Sequence, residues 1–116
     1  MIHYRGYRDT EGVGHQLVTK DYDLLDPAPS LTIWNHSPDG FSWGFQGSGP
    51  AQLALALLYD VTGNKDIAVL FHQKFKRALV STWGDTWEIT DDYIQGWVDG
   101  KIGSIEESLD RDSKEK

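Results

Sequence analysis

Apolar residues dominate the chain from Ala51 to Leu58, and glycines bracket that run on both sides. Ala51, Leu53, Ala54, Leu55, Ala56, Leu57 and Leu58 leave almost no polar face, so the spacing predicts a helix buried nearly all round. Pro50 suits the first helical position, because its missing N–H would have no partner there. Ser48 or Gly49 would then be the N-cap. Thr62-Gly63-Asn64 ends the helix, with Gly63 as a left-handed cap. This helix is the expected centre of the molecule.

The flanking patterns are shorter. Ile2 to Arg8 and His15 to Thr19 alternate like strands, with Asp9 to Gly14 as the turn between them. Their polar sides carry His3, Arg5, Gln16 and Lys20. Tyr22 to Ser30 reads as a polar connection, and Leu31 to Trp34 as a third strand. After Gly63, a second helix is expected from about Asp66. Ile67, Leu70, Phe71, Phe75, Ala78 and Leu79 line its apolar side, and His72, Gln73, Lys76 and Arg77 lie opposite. Trp87 to Ile89 reads as a short strand. Thr90 then caps a helix that packs through Tyr93, Ile94, Trp97 and Val98 and stops at Gly100. Ser104 and Glu107 form a capping box for a short terminal helix to Leu109, and Asp112 to Lys116 should fray. The expected fold class is α+β: a small antiparallel sheet on a buried central helix, with two or three flanking helices. Residues 1–103 form one domain, and 104–116 an acidic segment that is a short helix or a frayed tail.

The loop before the central helix carries the candidate chemistry. Pro38-Asp39-Gly40 is turn chemistry, and Phe41, Trp43 and Phe45 alternate with Ser42 and Gly44. Gly47-Ser48-Gly49 then opens the helix. A helix N-terminus presents unpaired N–H groups with the positive dipole end behind them, a ready site for phosphate or carboxylate. The glycine order, Gly44, Gly47, Gly49, is neither the dinucleotide fingerprint nor a P-loop, and Gln46 breaks the nucleophile-elbow pattern. Two readings therefore stand. The glycines let a tight turn pack under Trp43, or they build an anion site. In the second reading Trp43 or Phe45 stacks on a base, Ser48 adds a hydroxyl, and His36 borders the site. His36, Asp39 and Ser48 also permit a hydrolytic triad on paper.

The block from Asn35 to Leu58, N-H-S-P-D-G-F-S-W-G-F-Q-G-S-G-P-A-Q-L-A-L-A-L-L, resembles the signature of an uncharacterised prokaryotic, plasmid and phage family, the domain of unknown function numbered 6166. Its members carry a similar NHSPxGFxWGYxGSGPAQLALAIL block. A helix like Phe71 to Phe75 follows, then a tryptophan and a threonine-started helix like Trp87 to Trp97. The likeness spans roughly Tyr4 to Val98. Gln46 makes this loop bulkier than a smaller residue there would. The resemblance implies a compact domain, often carried on mobile elements. It brings no activity and no catalytic residues.

Composition bounds the rest. A chain of 116 residues with five tryptophans and 39% hydrophobic content is a folded single domain. The absence of cysteine excludes disulfides and thiolate metal sites. The histidines at 3, 15, 36 and 72 have no metal-ligand spacing, so no metal or cofactor is expected. No apolar run reaches membrane-spanning length and no signal-peptide pattern opens the chain, so a cytoplasmic protein is expected. Of the net charge of −7, residues 1–84 hold eight acids and seven bases, and residues 85–116 ten acids and four bases. An acidic end disfavours direct nucleic-acid binding. Lys65, Lys74, Lys76 and Arg77 gather on or beside the second helix, as a solvated face or a phosphate-binding ridge. The leading expectation is a non-enzymatic module holding a nucleotide-like anion at Trp43, Phe45, Gly47, Ser48, Gly49 and His36. In a phage–host conflict it would sequester a nucleotide signal. The alternative is an acidic module that inhibits a basic or nucleic-acid-binding host protein through Asp85, Asp91, Asp92 and Asp99. A homo-oligomer built on exposed tryptophans stays open.

Overall fold

A computed structural model describes residues 1–9 and 16–114, with side chains to Leu109. The expected turn from residue 10 onward, and His15, lie outside the described residues. The elements run β1 (His3–Arg8), β2 (Gln16–Lys20), β3 (Asp23–Leu24), α1 (Ala28–Ile33), α2 (Ser48–Thr62), α3 (Lys65–Ala78), a 3-10 turn at Val80–Thr82, β4 (Thr86–Thr90) and α4 (Asp91–Lys114). The strands form one antiparallel sheet in the order β3-β2-β1-β4. The fold is α+β.

Alternation sorts the sheet. Tyr4, Gly6, Val18, Trp87 and Ile89 face inward, while Arg5, Tyr7 and Glu88 face solvent. Gly6 sits opposite both Val18 and Trp87. A Cβ at Gly6 would lie 2.0 Å from the Trp87 indole nitrogen, so the missing side chain is what lets that ring lie across β1.

The central helix is where the apolar run placed it. Pro50 through Leu58 are all buried, and α3 packs along α2. Left-handed Gly63 ends α2, and Asn64 starts α3 by accepting the Ile67 N–H at 3.1 Å. Polar contacts at Asp60 tie the sheet to the far end of α2. The Tyr4 hydroxyl donates to the Asp60 carboxylate, which Lys20 also reaches at 3.0 Å. Burial and that carboxylate push the Tyr4 phenol well above its ordinary range.

Five expectations are corrected. Leu31–Trp34 is no strand: Pro27 stands at the N-cap of α1, Asp26 accepts the Ala28 N–H at 2.9 Å, and prolines preset helical φ. The alternation at Phe41–Phe45 makes no strand either. Gly44, at φ 85, turns the chain so that its N–H reaches the Val80 carbonyl at 3.0 Å. Pro50 is the third helical residue rather than the first. His72, expected on the polar side of its helix, is buried. Finally, α4 does not stop at Gly100. The Ser104 hydroxyl donates to the Gly100 carbonyl at 3.0 Å instead of capping a new helix, and α4 continues across the expected boundary at 103.

Candidate functional site

The N-terminus of α2 is positioned by the loop that precedes it. Gly47 is the N-cap, in extended conformation, and no side chain caps the helix. Helix geometry leaves the N–H groups of Ser48 and Gly49 without intrahelical partners, and Pro50 has none to offer. Ser48 and Gly49 are the two amides inside the helix start, and the N-cap amide of Gly47 stands just before them. Ser48 is exposed.

The two flanking glycines are explained by packing. A Cβ at Gly47 would fall 2.6 Å from the Phe45 ring, and one at Gly49 would fall 2.7 Å from Ser42 Cβ. Phe45 therefore lies against the turn while half of it stays exposed. Gly49 is also one of the residues that line a cleft of about 450 Å³ between this loop and β2–β3. Ser37, Asp39, Phe41 and Ser42 form one wall, and Leu24 and Leu25 stand on the other. Among the described residues no lysine or arginine lines it.

Trp43 is corrected from a stacking ring to a core residue. It is wholly buried, its Nε1 donates to the Gly84 carbonyl at 2.6 Å, and the Arg8 guanidinium lies 4.8 Å from its ring centre. Neither face is free for a base. Phe41 is the aromatic residue on the cleft wall.

His36 belongs to a different arrangement. Its backbone N–H donates to the Gln52 side-chain oxygen at 2.7 Å, and the Ser37 N–H donates to the same oxygen at 3.2 Å. The Gln52 amide donates to the Ser30 hydroxyl at 2.9 Å, which donates in turn to the Pro27 carbonyl. Thus one buried glutamine of α2 clamps α1 and the loop together. The His36 ring stacks on Trp34, with centres 4.5 Å apart, and its Nε2 meets the Nε2 of His72 at 3.0 Å. The His72 Nδ1–H donates to the Val69 carbonyl at 2.7 Å. That bond makes His72 Nε2 the acceptor and His36 Nε2–H the donor when both rings are neutral. Burial holds both imidazoles below the usual histidine range, with Lys76 adding to the effect and, for His36, the His72 ring as well. Among the described residues no hydrogen bond joins Ser48 to His36 or Asp39, and no group of three or more metal-ligating side chains forms.

The acids expected to face a partner are partly engaged. Asp85 lies 3.7 Å from Arg8. Asp91 accepts the Ile2 N–H at 2.9 Å, a bond that lowers its carboxyl below the usual range, and also the Asp92 N–H. Asp99 accepts the Gln95 side chain within one turn, at 2.9 Å. The Tyr93 N–H reaches the Thr90 hydroxyl at 3.2 Å, the cap expected there.

Sequence reasoning missed Gln52 and misplaced His72. Both had a signal. Gln52 is the single polar side chain inside an otherwise apolar run, which demands a partner. Ala68, Phe71, His72 and Phe75 recur at i, i+3, i+4 and i+7, one helix face.

The class defined by this geometry is an α+β domain whose helices cover one face of a four-stranded antiparallel sheet. The chain matches the model of a family of unknown function (DUF6166) over residues 4–100, and it belongs to that family. No curated protein and no solved structure matches it. Among the described residues no helix is long and apolar enough to cross a membrane.

Proposed function

We propose that this domain is a non-enzymatic binding module that takes a small anionic, nucleotide-like molecule beside the N-terminus of α2. One observation carries the reading: the helix start has no side-chain cap, and at Gly49 it opens onto a cleft of about 450 Å³. That volume suits a small molecule. Of the expected site residues Gly49 alone lines the cleft, so its amide would hold the anionic group, with the Ser48 amide and hydroxyl and Phe45 just outside the lining, and Phe41 would border the base. Gly47 leaves room for the Phe45 ring beside the turn. His36 would act from behind, through Gln52, by fixing the loop. With two amides and no lysine or arginine in the wall, a single phosphate or carboxylate fits better than a polyphosphate. A binder is favoured over a hydrolase because the His36 ring faces His72. On the same reading the module works in the cytoplasm of a prokaryotic cell and sequesters a nucleotide signal in a phage–host conflict.

The experiment is a thermal-shift and calorimetric screen of mononucleotides, cyclic nucleotides and small carboxylates. One class should bind. Ser48→Ala should then weaken it about tenfold, the worth of one hydrogen bond to a charged group. A flat response across the screen rejects the reading.

A second reading is favoured by the composition of α4: an acidic surface that engages a basic protein. Asp92 and Asp99 carry it better than Asp85 and Asp91, because Asp85 and Asp91 bind other elements, at Arg8 and Ile2, whereas Asp99 is held only by Gln95 on its own helix. Capture of a basic partner that weakens steeply with salt would support it.

A further inference from the structure

The far half of α4 leaves the body of the protein. A helix of 24 residues is about 36 Å long, and the molecule measures 60 × 28 × 24 Å. Ile94 and Val98 are buried, and Ile102 packs partly against the core. Beyond that point the apolar side loses its cover: Ile105 is 41% exposed and Leu109 64%. Val98, Ile102, Ile105 and Leu109 are spaced 4, 3 and 4 residues apart, the a/d rhythm of a helix seam. One side of this seam is therefore half filled by the protein's own core and half empty.

The edge of the seam is charged in register. Asp92, Asp99 and Glu106 recur at intervals of seven, so they share one line beside the apolar stripe. On the opposite edge Lys101 lies over the Trp97 ring, 5.2 Å from its centre, and is drawn toward the body. The back of the helix carries Gly96, Gly100 and Gly103, where an added Cβ would meet nothing within 4 Å. Each glycine in a helix interior costs about 1 kcal/mol relative to alanine. A short helical arm with such residues is marginal alone and gains from any surface that covers its stripe.

We propose that residues 98–109 of α4 form a docking face for a basic amphipathic helix of a partner protein. The proposal rests on the second reading above, in which the acidic end meets a basic protein, and it names the contact. The partner would lay apolar side chains against Ile102, Ile105 and Leu109 and set lysine or arginine along Asp92, Asp99 and Glu106. A second copy of this chain fits less well. Two antiparallel copies would place acid against acid at Asp99 and Glu106, on molecules that each carry a net charge of −7.

The test is anisotropy titration of the full chain with labelled amphipathic peptides of about three heptads, leucine at a and d, flanked by lysine in one and glutamate in the other. The lysine peptide should bind and the glutamate peptide should not. Ile105→Glu with Leu109→Glu should weaken binding at least about tenfold, and Asp99→Asn with Glu106→Gln should weaken it and flatten its salt dependence. Both pairs are exposed, and an unchanged unfolding midpoint confirms that the fold is intact. No binding of the lysine peptide overturns the proposal. Binding that ignores the Ile105/Leu109 change but responds to the acid change also overturns it, while leaving the acidic-surface reading standing. Insensitivity to both changes removes both ideas. Light scattering that shows a dimer dissolved by the Ile105/Leu109 change assigns the seam to a second copy and overturns it as well.

Discussion

The helices α2 and α4 differ in what the fold does with their apolar side chains. In α2 every residue from Pro50 to Leu58 is buried, because α1, α3 and the start of α4 close on it and the inward side chains of the sheet share its core. Among the described residues of α4, Ile94, Val98 and Ile102 pack on the body, and Ile105 and Leu109 meet solvent. Burial is thus a property of position in the topology. Aliphatic residues of the kind that stabilise α2 stay uncovered at Ile105 and Leu109 of α4, and that uncovered stripe is what the docking proposal rests on.

The difference sets the scale of the expected effects. Leu55→Ala, at a wholly buried site, should destabilise the fold by about 2–5 kcal/mol, while Ile105→Ala should stay within about 0.5. Urea unfolding compares the two, and similar losses would mean that the arm is part of the core. Gln52→Ala comes next. It strips the acceptor from two backbone N–H groups and one donor from the Ser30 hydroxyl, which keeps its bond to Pro27, so a loss of about 2–3 kcal/mol is expected in the same assay.

A third test uses pH. His36 and His72 titrate below their unfolded value in the native state, so the unfolded chain takes up protons first as pH falls. Their contribution to stability should be fully present above about pH 6.5 and drain away below it, toward the depressed native values. Lys76 is the charged group that acts on both rings. Unfolding midpoints across that range should fall in the native sequence and flatten in His72→Gln. A His72→Gln curve as steep as the original would place the sensitivity elsewhere.

The smallest effect concerns the arm. Gly103→Ala should raise local helix stability by about 0.5–1 kcal/mol without moving the global midpoint. Hydrogen exchange along α4 reads the first, and thermal unfolding the second. A shift in the midpoint would join the arm to the cooperative unit and erase the contrast with α2.

Much of the fold was legible along the chain, and the misses share one cause. The buried helix, the Gly63 break, the strand through Trp87 and the Thr90 cap all rest on local patterns of the kind that survive tertiary context. Leu31–Trp34 and Phe41–Phe45 were misread because their short apolar spacing suits either element, and the flanking Pro27, Pro29 and Gly44 decided against strands. For the candidate site, the glycine turn and His36 were visible as chemistry, but their partners were not. Trp43 could be a pocket wall or a core ring until its indole was placed against Gly84 and Arg8.

The amino-acid order alone determined which segment is most deeply buried, that Gly63 ends it and that the acidic charge gathers at one end, because periodicity, capping and charge are local quantities. Only the folded chain decided that His36 meets His72, that Gln52 clamps the loop and that the apolar side of α4 outruns the core. The His36–His72 contact joins residues 36 positions apart, and the Gln52 clamp joins residues 15, 16 and 22 apart. Contacts over such separations follow from how the layers pack, which no stretch of neighbouring residues encodes.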